Sequence, residues 1–176
     1  MVKSVKKIVI IGIGNIGFSI LKQLNSLNDN LEIIAIARRF PTYLEDYSSQ
    51  IKDNIKLTFI EADATDESGF QEIVNGKNLN GINVLISTVG FCSQSYDFDE
   101  YQKDFNNNFY GNVIPIKALI NKIFIHSSSR IIIISSTSGN KAPKTVNSYA
   151  PSKFALETFS SALQQEFRGQ YINTYL

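Results

Sequence analysis

Gly12, Gly14 and Gly17 come directly after the apolar run Ile8-Val9-Ile10-Ile11, and behind them Ile16, Ile20, Leu24 and Leu27 recur at helical spacing. A strand, a glycine turn and a helix in that order leave a chain few folds to choose from. The strand, Lys7 to Ile11, is apolar enough to be covered on both faces, as strands of parallel sheets are. In such a unit the first glycine permits a tight turn, the second lets backbone approach a pyrophosphate, and the third lets the helix press against the strand. Phosphates held there meet unpaired amides and the positive end of the helix dipole. The dinucleotide contacts expected at this turn are Gly12, Gly14, Asn15, Ile16 and Gly17.

The rest of the chain repeats the alternation. Further strands are read at Leu31 to Ala37, Leu57 to Glu61, Asn83 to Ser87, Arg130 to Ser135 and, just beginning, Tyr171 to Leu176. Between them lie a loop with a short helix from Phe40 to Asn54, and a helix marked by Phe70, Ile73 and Val74. A long helix from Glu100 is marked by Phe105, Phe109, Val113, Ile116, Ile120 and Ile123, with Pro115 expected to kink it. A last helix has Leu156, Phe159, Leu163 and Phe167 on one face. This order predicts an α/β protein with a parallel sheet covered on both faces. With 176 residues, 43% of them hydrophobic, and no linker or internal repeat, a single domain over residues 1–176 is expected.

Composition excludes several functions. A formal net charge of +1 and the lack of a basic stripe with interleaved aromatics argue against nucleic acid. Cys92 is the only cysteine, so no disulfide forms within the chain. Lys3, Lys6 and Lys7 ahead of an apolar run look superficially like a secretion signal, but the glycines break that run and no small-residue cleavage site follows. No stretch is long enough to span a bilayer, so a cytoplasmic protein without membrane contact is expected. His126, the single histidine, is expected at the surface between a helix and a strand, and no ligand cluster suggests a metal.

Chemistry is expected at two places. The second strand ends Ala37-Arg38-Arg39 with no acid, and guanidinium forks suit a 2′-phosphate, which favours NADP(H) over NAD(H). In Tyr149-Ala150-Pro151-Ser152-Lys153 the phenol and the ammonium are four residues apart on one helix and share a face. A phenol with a pKa of about 10 is a poor base near neutrality, and a cation beside it favours the ionised form, the usual way a tyrosine becomes a general acid/base. Ser136 and Asn108 precede the pair.

With these pieces in order the chain resembles the short-chain dehydrogenase/reductase family, from Lys7 to its last residue. The family's active tyrosine and lysine match Tyr149 and Lys153, its serine matches Ser136 in Ser135-Ser136-Thr137-Ser138-Gly139, and its helix asparagine matches Asn108 in Asn108-Phe109-Tyr110-Gly111. Asp63, with Ala64 beside it, looks like the adenine-contacting aspartate, and Gly90 like the last residue of the family's Asn-Asn-Ala-Gly turn, which here reads Ser87-Thr88-Val89-Gly90. The resemblance implies a Rossmann-like, doubly wound sheet of order 3-2-1-4-5 with an incomplete sixth strand. The segment that covers substrate in the family would lie beyond Leu176. Carried onto this chain, it implies that Tyr149 exchanges a proton with a carbonyl or alcohol oxygen, Lys153 assists it and holds the nicotinamide ribose, Ser136 bonds the same substrate oxygen, and Asn108 holds a water. It also implies a homo-oligomer through the helices spanning about Asp104 to Phe124 and Ser152 to Phe167. A catalytically silent NAD(P)-binding or redox-sensing protein, and a nicotinamide-using epimerase or isomerase, are the alternatives.

Overall fold

The computed structural model describes residues 4–93, 97–123, 129–141, 143–144 and 148–167, and the backbone of 172–175. Strands β1 (Lys6–Ile11), β2 (Leu31–Ala37), β3 (Ile55–Glu61), β4 (Val84–Ser87), β5 (Arg130–Ile134) and β6 (Ile172–Tyr175) form one sheet in the order β3-β2-β1-β4-β5-β6. Every pairing is parallel. The expected order 3-2-1-4-5 holds, with the sixth strand beside β5. Tyr171 and Leu176, at the ends of the expected sixth strand, Phe124 and His126 lie outside the described residues.

Six α-helices are described: α1 (Asn15–Ser26), α2 (Thr42–Ser48), α3 (Glu67–Gly76), α4 (Phe98–Phe105), α5 (Gly111–Leu119) and α6 (Tyr149–Glu166). Alternate residues of β1 feed two separate cores, as the two-residue period of a strand requires. Val9 and Ile11 pack with Phe70 of α3, Leu119 of α5 and Leu156 of α6, whereas Ile8 and Ile10 pack with Leu21 of α1 and Leu44 of α2. The chain therefore leaves β1 toward one face and β4 toward the other, although the two strands are neighbours. A crevice opens at such a reversal, beyond the carboxyl ends of the strands. No helix among the described residues is long and apolar enough to cross a membrane.

The rotation of α1 differs from the expectation. Its buried residues are Gly17, Leu21 and Asn25, while Ile16 is 52% and Leu27 43% exposed. Of the apolar stripe at 16, 20, 24 and 27, Ile16 and Leu27 are exposed, while Ile20 and Leu24 lie at the edge of the buried face and pack against the core half-buried. Close packing at Gly17 is the cause: a methyl there would lie 2.1 Å from the Gly12 carbonyl oxygen. With Gly17 held against the turn, the residues one and two turns later must face inward. Asn25 is satisfied there, donating to Tyr47 and to the Gln50 carbonyl and accepting from the Lys52 amide.

The long helix also differs. Pro115 lies within α5, and α-helical structure continues through it; the irregularity falls one turn earlier, where Asn106–Tyr110 form a π-helical segment. The Gly111 amide reaches back to Asn106, five residues away, which opens the turn just ahead of the proline. Apolar spacing had put Phe105, Phe109 and Val113 inward, yet each is only half-buried, and the fully buried line is Asp104, Asn108 and Asn112, followed by Ile116 and Leu119. Gly17→Ala is expected to lower the melting temperature sharply, whereas Gly14→Ala, with open space around position 14, melts with the wild type. Differential scanning calorimetry of the two variants checks this.

Candidate active site

The crevice between β1 and β4 holds about 320 Å³ and is lined by Gly12, Gly14, Arg38, Arg39, Asp63, Ala64, Thr65, Thr88, Gly90 and Asn107, among others. Gly12 turns the chain out of β1 at φ +86°, a conformation that a side chain would strain. Gly14 is the N-cap of α1 and no side chain caps this helix, so its first amides are free to meet an anion. Neither Arg38 nor Arg39 pairs with an acid among the described residues, and both are exposed. Asp63 uses one carboxylate oxygen locally, accepting from the Thr65 amide and hydroxyl at 2.8 Å. The crevice therefore offers free amides and two guanidinium groups against one partly committed carboxylate, a lining that can hold a dinucleotide. Of the expected contacts, Asn15, Ile16 and Gly17 put no side chain against the crevice, and what they offer is the amides that open α1; Asn15 and Ile16 are exposed beside Ile20 and Leu24.

In the turn after β4, Thr88 and Ser87 provide the connections. The Thr88 hydroxyl donates to the Gly12 carbonyl at 2.7 Å and so ties the glycine turn to β4. Ser87, fully buried, donates to Asn112 at 2.6 Å, and Asn112 in turn donates to the carbonyls of Val89 and Asn108. Asn108 accepts from the Phe91 amide at 2.7 Å and donates to Ser152 at 3.0 Å; Ser152 donates to the Tyr149 carbonyl at 2.7 Å. An unbroken run of hydrogen bonds thus leads from the end of β4, through the interior of the π-helical segment, to the first turn of α6.

Tyr149 opens α6 and is half-buried, and its hydroxyl has no hydrogen-bond partner among the described residues. Lys153 is 3% exposed; its ammonium lies 5.8 Å from the centre of the Tyr149 ring and donates at 3.4 Å to the Ile134 carbonyl. It also meets the crevice, since a methyl on Gly90 would come within 3.0 Å of Lys153 Nζ and 3.4 Å of Asn108 Oδ1. Lys153, Tyr149, Asn108 and Gly90 are therefore brought together. Ser136 lies on the opposite side of the chain from the buried Ser135, and its hydroxyl accepts from the Ser138 amide at 3.2 Å, capping a 3-10 turn, Thr137–Gly139. That turn sits on α6 at Lys153: a methyl on Gly139 would fall 3.0 Å from the Lys153 carbonyl. Among the described residues no group of three His, Cys, Asp or Glu side chains could hold a metal ion.

The connecting residues Asn112, Ser87, Thr88 and Ser152, and Asp104 with Ser148, from whose hydroxyl it accepts at 2.6 Å, carry no expected role from the sequence. One signal was available. Asp104, Asn108 and Asn112 recur every four residues in a helix whose other inward positions are apolar, and a polar line of that kind on one face marks a buried network.

Burial pulls the Lys153 amine down to about 8, with Glu157 on the next turn acting in the opposite direction. The folded state therefore binds fewer protons than the unfolded state between pH 8 and 10.5, so stability rises with pH across that window, and below it the buried charge costs about 3 kcal/mol. Lys153→Met, which keeps the stem and removes the charge, is expected to melt roughly 5–10 °C higher at pH 7. The gain should fade as the pH approaches 10.5. Thermal melts of both proteins across that range check it.

A profile described as short chain dehydrogenase matches residues 6–175. Among curated relatives, an uncharacterised oxidoreductase of Bacillus subtilis is 29% identical over 97% of this chain and 63% of its own length. A 3-dehydrosphinganine reductase of Danio rerio is 27% identical over 67% of this chain and 38% of its own. This chain spans about 60% of the length of the first relatives it matches. Among solved structures, a short chain dehydrogenase family protein from Francisella tularensis aligns with a TM-score of 0.79 at 19% identity, over 97% of this chain and 68% of that one. An alcohol dehydrogenase from the archaeon Thermococcus sibiricus, complexed with 5-hydroxy-NADP, aligns with a TM-score of 0.83 at 16% identity, over 97% and 75%. With the sheet order, the glycine turn and this match over nearly the whole chain, the protein belongs to the short-chain dehydrogenase/reductase family.

Proposed function

We propose that this chain carries an NADP(H)-dependent oxidoreductase activity that interconverts a carbonyl and an alcohol, with Tyr149 as its general acid/base. The observation that carries the reading is the buried Lys153 ammonium, set between the Tyr149 ring and the Gly90 end of the crevice. Arg38 and Arg39 would hold the 2′-phosphate, the amides at the start of α1 the pyrophosphate, and Asp63 and Ala64 would flank the adenine. A bound nicotinamide would supply or accept the hydride. In the reducing direction Tyr149 passes its proton to the carbonyl oxygen, and Lys153 provides the positive charge beside the phenol once that proton has left. Ser136 donates to the same oxygen as charge develops on it. The Asn108 side chain holds Phe91 and Ser152 with one acceptor and one donor, and its backbone carbonyl accepts from Asn112; a bridging water toward Lys153 would use the hydrogen-bonding capacity that these leave. Reductase and dehydrogenase chemistry in the matched Danio rerio and Thermococcus sibiricus proteins supports the reading. The free, exposed Cys92 thiol suits the cytoplasm.

Aromatic rings exposed within the two expected interface spans support a homo-oligomer: Tyr110 in the π-helical segment is 50% and Phe154 on α6 60% exposed. Light scattering is expected to give the mass of more than one chain, and that of a monomer for Phe154→Glu.

Fluorescence titration is expected to show NADPH binding more tightly than NADH, with the preference lost in Arg38→Ala. Across a panel of ketones and aldehydes, Tyr149→Phe should lower kcat by about 100-fold or more, the scale of general acid catalysis, while leaving NADPH affinity intact. A wild type that binds NADPH yet oxidises it with no carbonyl would favour the silent binding protein.

A further inference from the structure

Asp104 is fully buried in α4, and among the described residues no ammonium or guanidinium pairs with it. Such a carboxylate is held by hydrogen bonds or not at all. It accepts three: from the Ser93 amide at 3.2 Å, the Ser93 hydroxyl at 2.9 Å and the Ser148 hydroxyl at 2.6 Å. One turn later Asn108 does the same with a different pair of groups, accepting from the Phe91 amide and donating to Ser152. The two arrangements run in parallel. Asp104 and Asn108 are four residues apart on one helix, Ser148 and Ser152 four apart at the start of another, and Phe91 and Ser93 two apart on the loop after β4. Each inner side chain bridges one loop amide to one serine of α6.

Tyr149 lies between the two serines. Ser152 bonds its carbonyl from one side, and Ser148, the N-cap, precedes it on the other. The cap residue makes no side-chain bond to its own helix; its hydroxyl goes to Asp104. The register of the first α6 turn relative to the Gly90 loop is therefore fixed at two points, and only the Asn108 point belongs to the motif that led to the site.

We propose that Asp104 is a positioning residue for Tyr149: by pinning Ser148 to Ser93 it sets where the phenol meets the crevice. The role rests on the proposed use of Tyr149 as acid/base. Displacement of a catalytic group by an ångström costs about 100-fold in rate. Asp104→Ala and Ser148→Ala are accordingly expected to lower kcat by roughly 10- to 100-fold, with NADPH affinity within about threefold of wild type. The double variant should be no worse than the worse single one, because both remove one bridge. Asp104→Asn, whose amide can accept from the Ser93 backbone and donate to the two hydroxyls, should restore most of the rate.

Ser148→Ala carries the test if Asp104→Ala does not fold, since it leaves both Ser93 bonds in place. The proposal is overturned if folded Ser148→Ala keeps kcat within about twofold of wild type, or if the loss in kcat is matched by an equal loss of NADPH affinity. A readout free of turnover separates this from the functional reading. In protein labelled with ¹³C at the tyrosine ring, the Tyr149 resonance, assigned by its absence in Tyr149→Phe, should move in both alanine variants and return in Asp104→Asn. If the wild type reduces no carbonyl, the activity assignment falls alone and this resonance decides the positioning role; a resonance that stays put in both alanine variants ends it.

Discussion

No side chain fits at position 17, because even a methyl would overlap the Gly12 carbonyl, and much of the crevice follows from that contact. It presses α1 onto the turn that leaves β1, aims the free amides of the helix at the crevice and fixes the rotation of the whole helix. Thr88 then bonds the same Gly12 carbonyl from the neighbouring strand. One peptide group is thus shared by the two halves of the sheet, at the point where their helices part to opposite faces. A closely packed contact of this kind has no softer version, since protein interiors transmit strain instead of absorbing it.

The opposite wall is organised by polar groups. From Ser87 through Asn112 and Asn108 to Ser152, and from Ser93 through Asp104 to Ser148, buried donors and acceptors join the end of β4 to the start of α6. Such networks specify geometry when each member is satisfied, because any other arrangement strands a polar atom away from water. The π-helical turn belongs to this design. Its wider turn lets the Asn108 carbonyl accept from the Asn112 side chain within the helix interior.

The strands were legible in the sequence because each is a short apolar run bounded by polar or glycine residues, and parallel strands covered on both faces must be of that kind. The glycine turn and the Tyr149 to Lys153 spacing were legible for the same reason, being local. Helix rotation was not. Counting apolar residues put Ile16 and Phe105 inward, whereas packing at Gly17 leaves Ile16 exposed and the buried polar line through Asn108 leaves Phe105 only half-buried. Both decisions are made by backbone groups outside the helix concerned, a carbonyl of the preceding turn in one case and an amide seventeen residues earlier in the other, and apolar spacing along a helix registers neither. Ser148 and Ser152 were hidden by similar means: a serine at the start of a helix reads as an ordinary cap until its partner on another helix is known.

Lys153 holds its proton only loosely, with a pKa of about 8 in a site almost closed to water. Any anion drawn into the crevice beside it strengthens that hold. Association near this pH then draws a fraction of a proton from solution, so the heat released on binding includes the ionisation enthalpy of whatever buffer gives it up. Calorimetric titrations in phosphate and in Tris would differ accordingly, and the size of the difference counts the net protons taken up on binding, to which Lys153 contributes.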